Sequence, residues 1–217
     1  MPKTVLILGA SGLIGSQLLS MLESDSRVNR IYAPSRRPLS GVGSKVINSV
    51  GDDLQALLDG LTEPVDIAFC CLGSTIKAAG SREAFHFSDV ILPVHGGKSA
   101  LQLGATHYLV VSAIGANAKS WFFYNRTKGE MEQSLMAQHW PHLTIARPSM
   151  LLGNRPTPRA NELIAAPIFK LFPGKWKSIQ ARDVAKVLWM RAFAPASAAI
   201  EIIQSDKLRE KAAESQV

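Results

Sequence analysis

Three glycines at a spacing of three, set between a run of branched apolar residues and an amphipathic segment, constrain this chain more than any other feature: Val5-Leu-Ile-Leu-Gly9-Ala-Ser-Gly12-Leu-Ile-Gly15. Lys3 to Leu8 predicts a short buried strand, and Leu13, Ile14, Leu18, Leu19 and Leu22 follow at helical spacing. Strand, turn and helix in that order form a unit whose helix N-terminus faces an anion. The spelling differs from the more familiar Gly-x-Gly-x-x-Gly but serves the same ends. It allows a tight turn, lets a pyrophosphate approach the backbone, and packs the helix closely on its strand.

The rest of the chain repeats the alternation. Apolar runs predict strands at Val28 to Ala33, Lys45 to Asn48, Pro64 to Gly73, Tyr108 to Ser112 and Leu143 to Ala146. Helices are predicted at Asp53 to Leu61, Ser88 to Leu103 and Tyr124 to His139. Strands that are apolar throughout and alternate with helices imply a parallel sheet covered on both faces. The expected fold is therefore α/β, a doubly wound parallel-sheet Rossmann fold. After residue 150, Pro156, Pro158, Pro167 and Pro173 punctuate short helical pieces such as Glu162 to Phe172. Residues 151–180 read as a small C-terminal cap over the sheet edge, and Lys207 to Val217 as a polar, frayed tail. With 217 residues, 47% of them hydrophobic, the chain is expected to form one domain, 1–217.

The remaining composition narrows the partners. No stretch approaches ~18 uninterrupted apolar residues. The chain opens directly into a strand-like segment, so a cytoplasmic protein with no membrane partner is expected. The formal net charge of +7 comes without a basic run interleaved with aromatics, which argues against nucleic acid. An anionic cofactor accounts for part of the excess. The adjacent Cys70 and Cys71 lie in a strand, where neighbours point to opposite faces, and read as buried reduced thiols. His86, His95, His107, His139 and His142 lack metal-ligand spacing, so no metal is expected.

In a doubly wound sheet ligands lie beyond the carboxyl ends of the strands, and Gly9, Arg36, Gly73, Ser112 and Arg147 all follow predicted strand ends. Where an acidic residue would bind the adenosine ribose of NAD, the chain has Ser35, Arg36 and Arg37. Arginine cannot accept from ribose hydroxyls, but its fork fits a 2′-phosphate, which favours NADPH. Asp52 or Asp53 would contact the adenine amino group or cap a helix. Gly73 lets the backbone approach the middle of the cofactor.

Tyr124 and Lys128 share one helical face. A phenol needs its pKa lowered by ~3 units to exchange a proton at neutral pH, about 4 kcal/mol. One ammonium at ~4 Å supplies about that much at an effective dielectric of ~20. Tyr124 is thus a candidate proton carrier and Lys128 its tuner and a ribose ligand, with Ser112 orienting a carbonyl oxygen. Arg147, Arg155 and Arg159 are candidates for a phosphate or an anionic substrate. Trp121, Phe122 and Phe123 would line an apolar substrate pocket or serve in the core or cap.

Ala68-Phe-Cys-Cys-Leu-Gly-Ser-Thr75, Tyr124-x-x-x-Lys128-Gly-Glu130 and Arg147-Pro-Ser-Met-Leu-Leu152 together resemble the atypical branch of the short-chain dehydrogenase/reductase superfamily, over nearly the whole chain. The resemblance implies an NADPH site at Ser11, Gly12, Leu13, Ile14, Arg36, Arg37, Leu72, Gly73, Tyr124, Lys128, Leu151 and Arg159, with Tyr124 moving the proton. One departure is that Ala113 follows Ser112, where many members carry paired serines. The expected activity is NADPH-dependent hydride transfer to or from a small carbonyl or alcohol substrate. A NADPH-sensing regulatory protein and a nucleotide-sugar epimerase or dehydratase are the alternatives. The superfamily further implies a homodimer or a regulatory protein as partner.

Overall fold

The computed structural model describes residues 2–153, 176–195 and 198–214. Its strands are β1 (Lys3–Leu8), β2 (Val28–Tyr32), β3 (Val46–Ile47), β4 (Ile67–Cys70), β5 (His107–Val111), β6 (His142–Arg147), β7 (Leu151–Leu152), β8 (Ile179–Gln180) and β9 (Ile200–Gln204). Between them run α1 (Leu13–Ser24), α2 (Leu54–Asp59), α3 (Ile76–Ala79), α4 (Arg82–His86), α5 (Leu92–Gln102), α6 (Phe123–Met136), α7 (Ala181–Phe193) and α8 (Ser205–Glu214). Seven strands form one sheet in the order β3-β2-β1-β4-β5-β6-β9, with every pairing parallel. β7 and β8 pair separately. This is the doubly wound Rossmann architecture, and strand order reverses between β1 and β4.

Alternation along the strands divides the core into two layers. Val5 and Ile7 face a layer with Leu18, Leu22, Ile31, Phe69, Val184 and Leu188, whereas Leu6 and Leu8 face one with Leu58, Tyr108, Met131, Leu135 and Trp140. Every residue of β4 and β5 is buried, as a strand covered by helices on both faces requires. Cys70 joins the second layer and Cys71 packs on the first, the predicted opposition. Both thiols are free; Cys70 is buried as expected but Cys71 only half-buried, and desolvation pushes both up in pKa.

Three segments differ from the sequence expectation. The predicted helix Ser88 to Leu103 is interrupted by a π-helical turn, Phe87–Ile91, before α5 begins. Pro93 lacks the N–H that would bond to the Asp89 carbonyl, so the ladder widens there. The Tyr108 hydroxyl, buried and stacked on Trp140, donates to the Pro93 carbonyl at 2.9 Å. The region expected to fray is helix α8 as far as Glu214: Leu208 and Ala212, one turn apart, bury against α7, and Lys186 Nζ donates to the Ala212 carbonyl at 2.8 Å. β9 was not foreseen. Of the expected cap, residues 154–175, including the Glu162 to Phe172 helix, lie outside the described residues.

Candidate active site at the carboxyl edge of the sheet

The glycine turn is the geometry that its spacing predicts. Gly9 has φ +79°, and a Cβ on it would lie 2.7 Å from the Cys71 carbonyl carbon, so only glycine fits between the ends of β1 and β4. Gly12 N donates to the Gly9 carbonyl at 2.9 Å, and a Cβ on Gly15 would overlap that same oxygen. Ile14 and Gly15 are buried, Leu13 is half-buried and Ser11 is exposed. Leu151 packs on the same layer as Leu13, and a Cβ on Gly153 would lie 2.8 Å from Leu13. The chain leaving β7 therefore passes over the turn.

At the end of β2, Arg36 and Arg37 are exposed and carry no ion pair with a described residue. Their backbone is fixed nonetheless. Asn48 Nδ2 donates to the Ala33 carbonyl at 2.6 Å and to Ser35 Oγ at 2.8 Å, and Ser35 Oγ donates to the Arg37 carbonyl at 2.7 Å. Two unpaired guanidinium groups on a braced loop suit an anion supplied from outside. Asp53 Oδ1 accepts from Gln55 N and Ala56 N and thus serves as the cap of α2.

Lys128 and Tyr124 stand on α6. The Lys128 side chain is 4% exposed, and its Nζ lies 2.7 Å from Asp89 Oδ1, a carboxylate with no exposure, in the π-helical turn. Burial works to lower the lysine pKa, but the Asp89 carboxylate and its hydrogen bond, together with the neighbouring Tyr124, outweigh it, and the net direction is upward. Asp89 Oδ2 accepts from Ser74 N at 3.0 Å and Ser88 Oγ at 2.7 Å. This corrects the electrostatic expectation: the ammonium is not a bare charge turned on Tyr124 but half of a buried pair. A Cβ on Gly73 would lie 3.9 Å from Lys128 Nζ, so the β4 exit runs directly past the lysine head, with half-buried Leu72 beside it.

Tyr124 is 36% exposed, and its ring centroid lies 5.7 Å from that of buried Phe85. Ser112, at the end of β5, is 4% exposed and its Oγ has no hydrogen-bond partner among the described residues. The loop between them is tied at both ends. Ile114 N donates to the Pro148 carbonyl at 2.9 Å, Asn125 Nδ2 to the Gly115 carbonyl at 2.8 Å, and Asn117 N to the Asn125 carbonyl at 2.9 Å. Trp121 and Phe122, on this loop, are 97% and 76% exposed, which overturns a core role for either.

Arg147 is not available to a phosphate. It forks onto Glu132 through Nε at 2.9 Å and through a second contact from Nη2, and Glu132 is buried. Arg155 and Arg159 lie outside the described residues. Asp89, Glu132, Asn125 and Asn48 escaped the sequence reading because each acts through a partner ten or more residues away. The one local signal was an aspartate inside the apolar run Ser88-Asp-Val-Ile-Leu-Pro93.

The residues fit a dinucleotide. A glycine turn at the switch point, free arginines at the end of β2, a bare Cα beside Lys128 and an orphaned Ser112 hydroxyl supply a cradle, a counter-charge and a donor. No helix among the described residues is long and apolar enough to cross a membrane, and those residues hold no cluster of metal ligands.

Residues 4–86 match the model of the semialdehyde dehydrogenase family, NAD binding domain. An oxidoreductase of the short chain dehydrogenase/reductase family from Burkholderia thailandensis superposes with a TM-score of 0.68 at 19% identity, covering 100% of this chain and 98% of that one. Human epimerase family protein SDR39U1, solved with NADPH, has a TM-score of 0.64 at 16% identity, over 92% of this chain and 72% of that one. At such identities the likeness establishes the Rossmann fold.

Sequence relatives go further. Protein FMP52-1, mitochondrial, of Scheffersomyces stipitis is 35% identical over 70% of this chain and 68% of its own length. Protein FMP52, mitochondrial, of Candida albicans is 32% identical over 83% and 84%. Their mitochondrial names overturn the cytoplasmic expectation, which rested on initial residues that carry no compartment information of their own. Identity of this extent, over most of both proteins, makes the chain a member of the FMP52 family.

Proposed function

We propose that the protein is an NADPH-dependent oxidoreductase moving hydride to or from a small carbonyl or alcohol substrate. The observation that carries this reading is the buried Ser112 hydroxyl, unpartnered among the described residues, on the sheet edge that also holds Lys128 and the bare Gly73 backbone. A bound nicotinamide would supply the hydride. Tyr124 Oη gives or takes the proton at the substrate oxygen, and Ser112 Oγ orients that oxygen by donating to it. Lys128 holds the ribose hydroxyls, the turn from Gly9 to Gly15 receives the pyrophosphate, and Arg36 and Arg37 receive the 2′-phosphate. In this reading residues 1–217 form one domain, Leu151 contacts the cofactor, and the relatives' names support a mitochondrial setting.

Tyr124→Phe tests the assignment. NADPH oxidation with a responsive carbonyl should fall by ~10²–10⁴ while calorimetric NADPH affinity persists. Turnover of a sugar nucleotide without net consumption of NADPH would transfer the assignment to epimerases, a class represented among proteins of this fold. NADPH binding that alters a protein partner's affinity, with no turnover of any carbonyl, would transfer it to a sensor.

A further inference from the structure

We propose that Asp89 is a positioning residue of this site: its carboxylate anchors the Lys128 ammonium and the Ser74 amide together, so that the lysine is charged and oriented before any cofactor arrives. The two oxygens divide the work. Oδ2 is fixed by Ser88 Oγ at 2.7 Å and Ser74 N at 3.0 Å, while Oδ1 accepts no other hydrogen bond among the described residues and faces Lys128 Nζ at 2.7 Å. One carboxylate thereby joins α6, which carries the proton donor, to the turn after β4 that runs past the lysine head.

The cause lies in the chain. Pro93 removes the N–H that would have closed the helix onto Asp89, and the resulting π-helical turn directs Asp89 inward while Phe87 and Ile91 on either side stay exposed. A charged pair in so dry a place is not explained by stability, because apolar replacements of buried pairs are often neutral or stabilising. Removing only the carboxylate is different, since a buried lysine without a counter-charge is driven to lose its proton. The groups facing the ammonium are Asp89 from the π-helical turn, Tyr124 from its own helix and Cys70 from β4. Asp89 is the one carboxylate among them.

The functional consequence rests on the reading of Lys128 as the ribose ligand, but the decisive measurement does not. Lysine side-chain NMR on the cofactor-free protein, with the Lys128 signal identified by its loss in Lys128→Met, should show an ammonium that titrates above the ordinary lysine range. Asp89→Asn should bring its titration down by about 2 units or more, and Asp89→Glu should restore most of that. An unchanged titration in Asp89→Asn overturns the proposal. Should that variant fail to fold, Ser88→Ala keeps the carboxylate but loosens it, and the lysine titration should fall by about half a unit. No movement there overturns it equally.

NADPH calorimetry adds the second arm. In Asp89→Asn the affinity should fall up to about tenfold per pH unit above the new lysine titration, whereas a loss uniform with pH would mark a merely structural role and defeat the proposal. A wild-type protein indifferent to NADPH would sink the cofactor reading and leave the lysine titration to decide on Asp89.

Discussion

At the amino edge of the sheet, His107 Nε2 lies 2.8 Å from Thr144 Oγ1, and Asp66 accepts from Thr4 N and Lys3 Nζ. At the carboxyl edge Ser112 Oγ is buried without a partner among the described residues, as is Thr127 Oγ1, next to Lys128 in the chain. His142 Nδ1, edge-on to His107, is the exception at the amino edge. The same strand, β5, begins at His107 and runs out into Ser112, the residue just past its last. Its two ends therefore differ in what completes their hydrogen bonding. At the amino edge most polar groups find partners within the chain, so titration there acts on folding. At the carboxyl edge the open groups await something from outside, so substitutions there can separate binding from stability.

The largest expected effect attacks the carboxyl edge through its backbone. Gly9→Ala forces a side chain into a positive φ and against Cys71, and should lower unfolding free energy by about 3–5 kcal/mol in urea titrations. A loss under about 1 kcal/mol would mean that the turn has slack that the contact denies.

Acid comes next and acts on the amino edge. Burial, and then His142 and Arg191, hold His107 down at about 4 from 6.5. The folded state thus favours the neutral ring. That contribution is complete above pH 6.5 and is lost as pH falls toward 4, about 3 kcal/mol in all. The difference in urea stability between wild type and His107→Phe should show this slope, and parallel pH curves would contradict it.

Replacing Arg36 and Arg37 together by alanine should weaken NADPH by about 10²-fold and NADH by only a few-fold in calorimetry. Equal losses would refute the 2′-phosphate assignment. Gly73→Ala gives the finest test of the comparison. Its Cβ would sit at ordinary contact, 3.8 Å from Asp89 and 3.9 Å from Lys128, so stability should hold within about 0.5 kcal/mol. NADPH affinity should nevertheless drop about tenfold; unchanged affinity would detach Gly73 from the cofactor path.

The fold was legible because its signals are local: the glycine turn, the apolar strands and the 3.6-residue periodicities each lie within a dozen residues. Tyr124 and Lys128 were legible for the same reason, sharing a helical face. Asp89, Glu132 and Asn48 were not, because a buried ion pair or brace is a statement about two distant segments and periodicity speaks about one. Arg147 was misread on that account, since its partner Glu132 is on α6. α8 was missed because a single Leu208–Ala212 pair is a weak stripe in a segment otherwise polar.

The Tyr108 hydroxyl that donates to the Pro93 carbonyl ties β5 to the helix opening through which Asp89 reaches Lys128. Proline opens the helix, aspartate turns inward through the opening, and the phenol caps the carbonyl alongside. A lineage that lost the proline would regain the N–H that closes the helix onto the Asp89 carbonyl and swing the acid away from the lysine, while the phenol kept its backbone acceptor. Drift at either helix position is therefore expected to arrive in company, with Pro93 and Asp89 exchanged together or not at all.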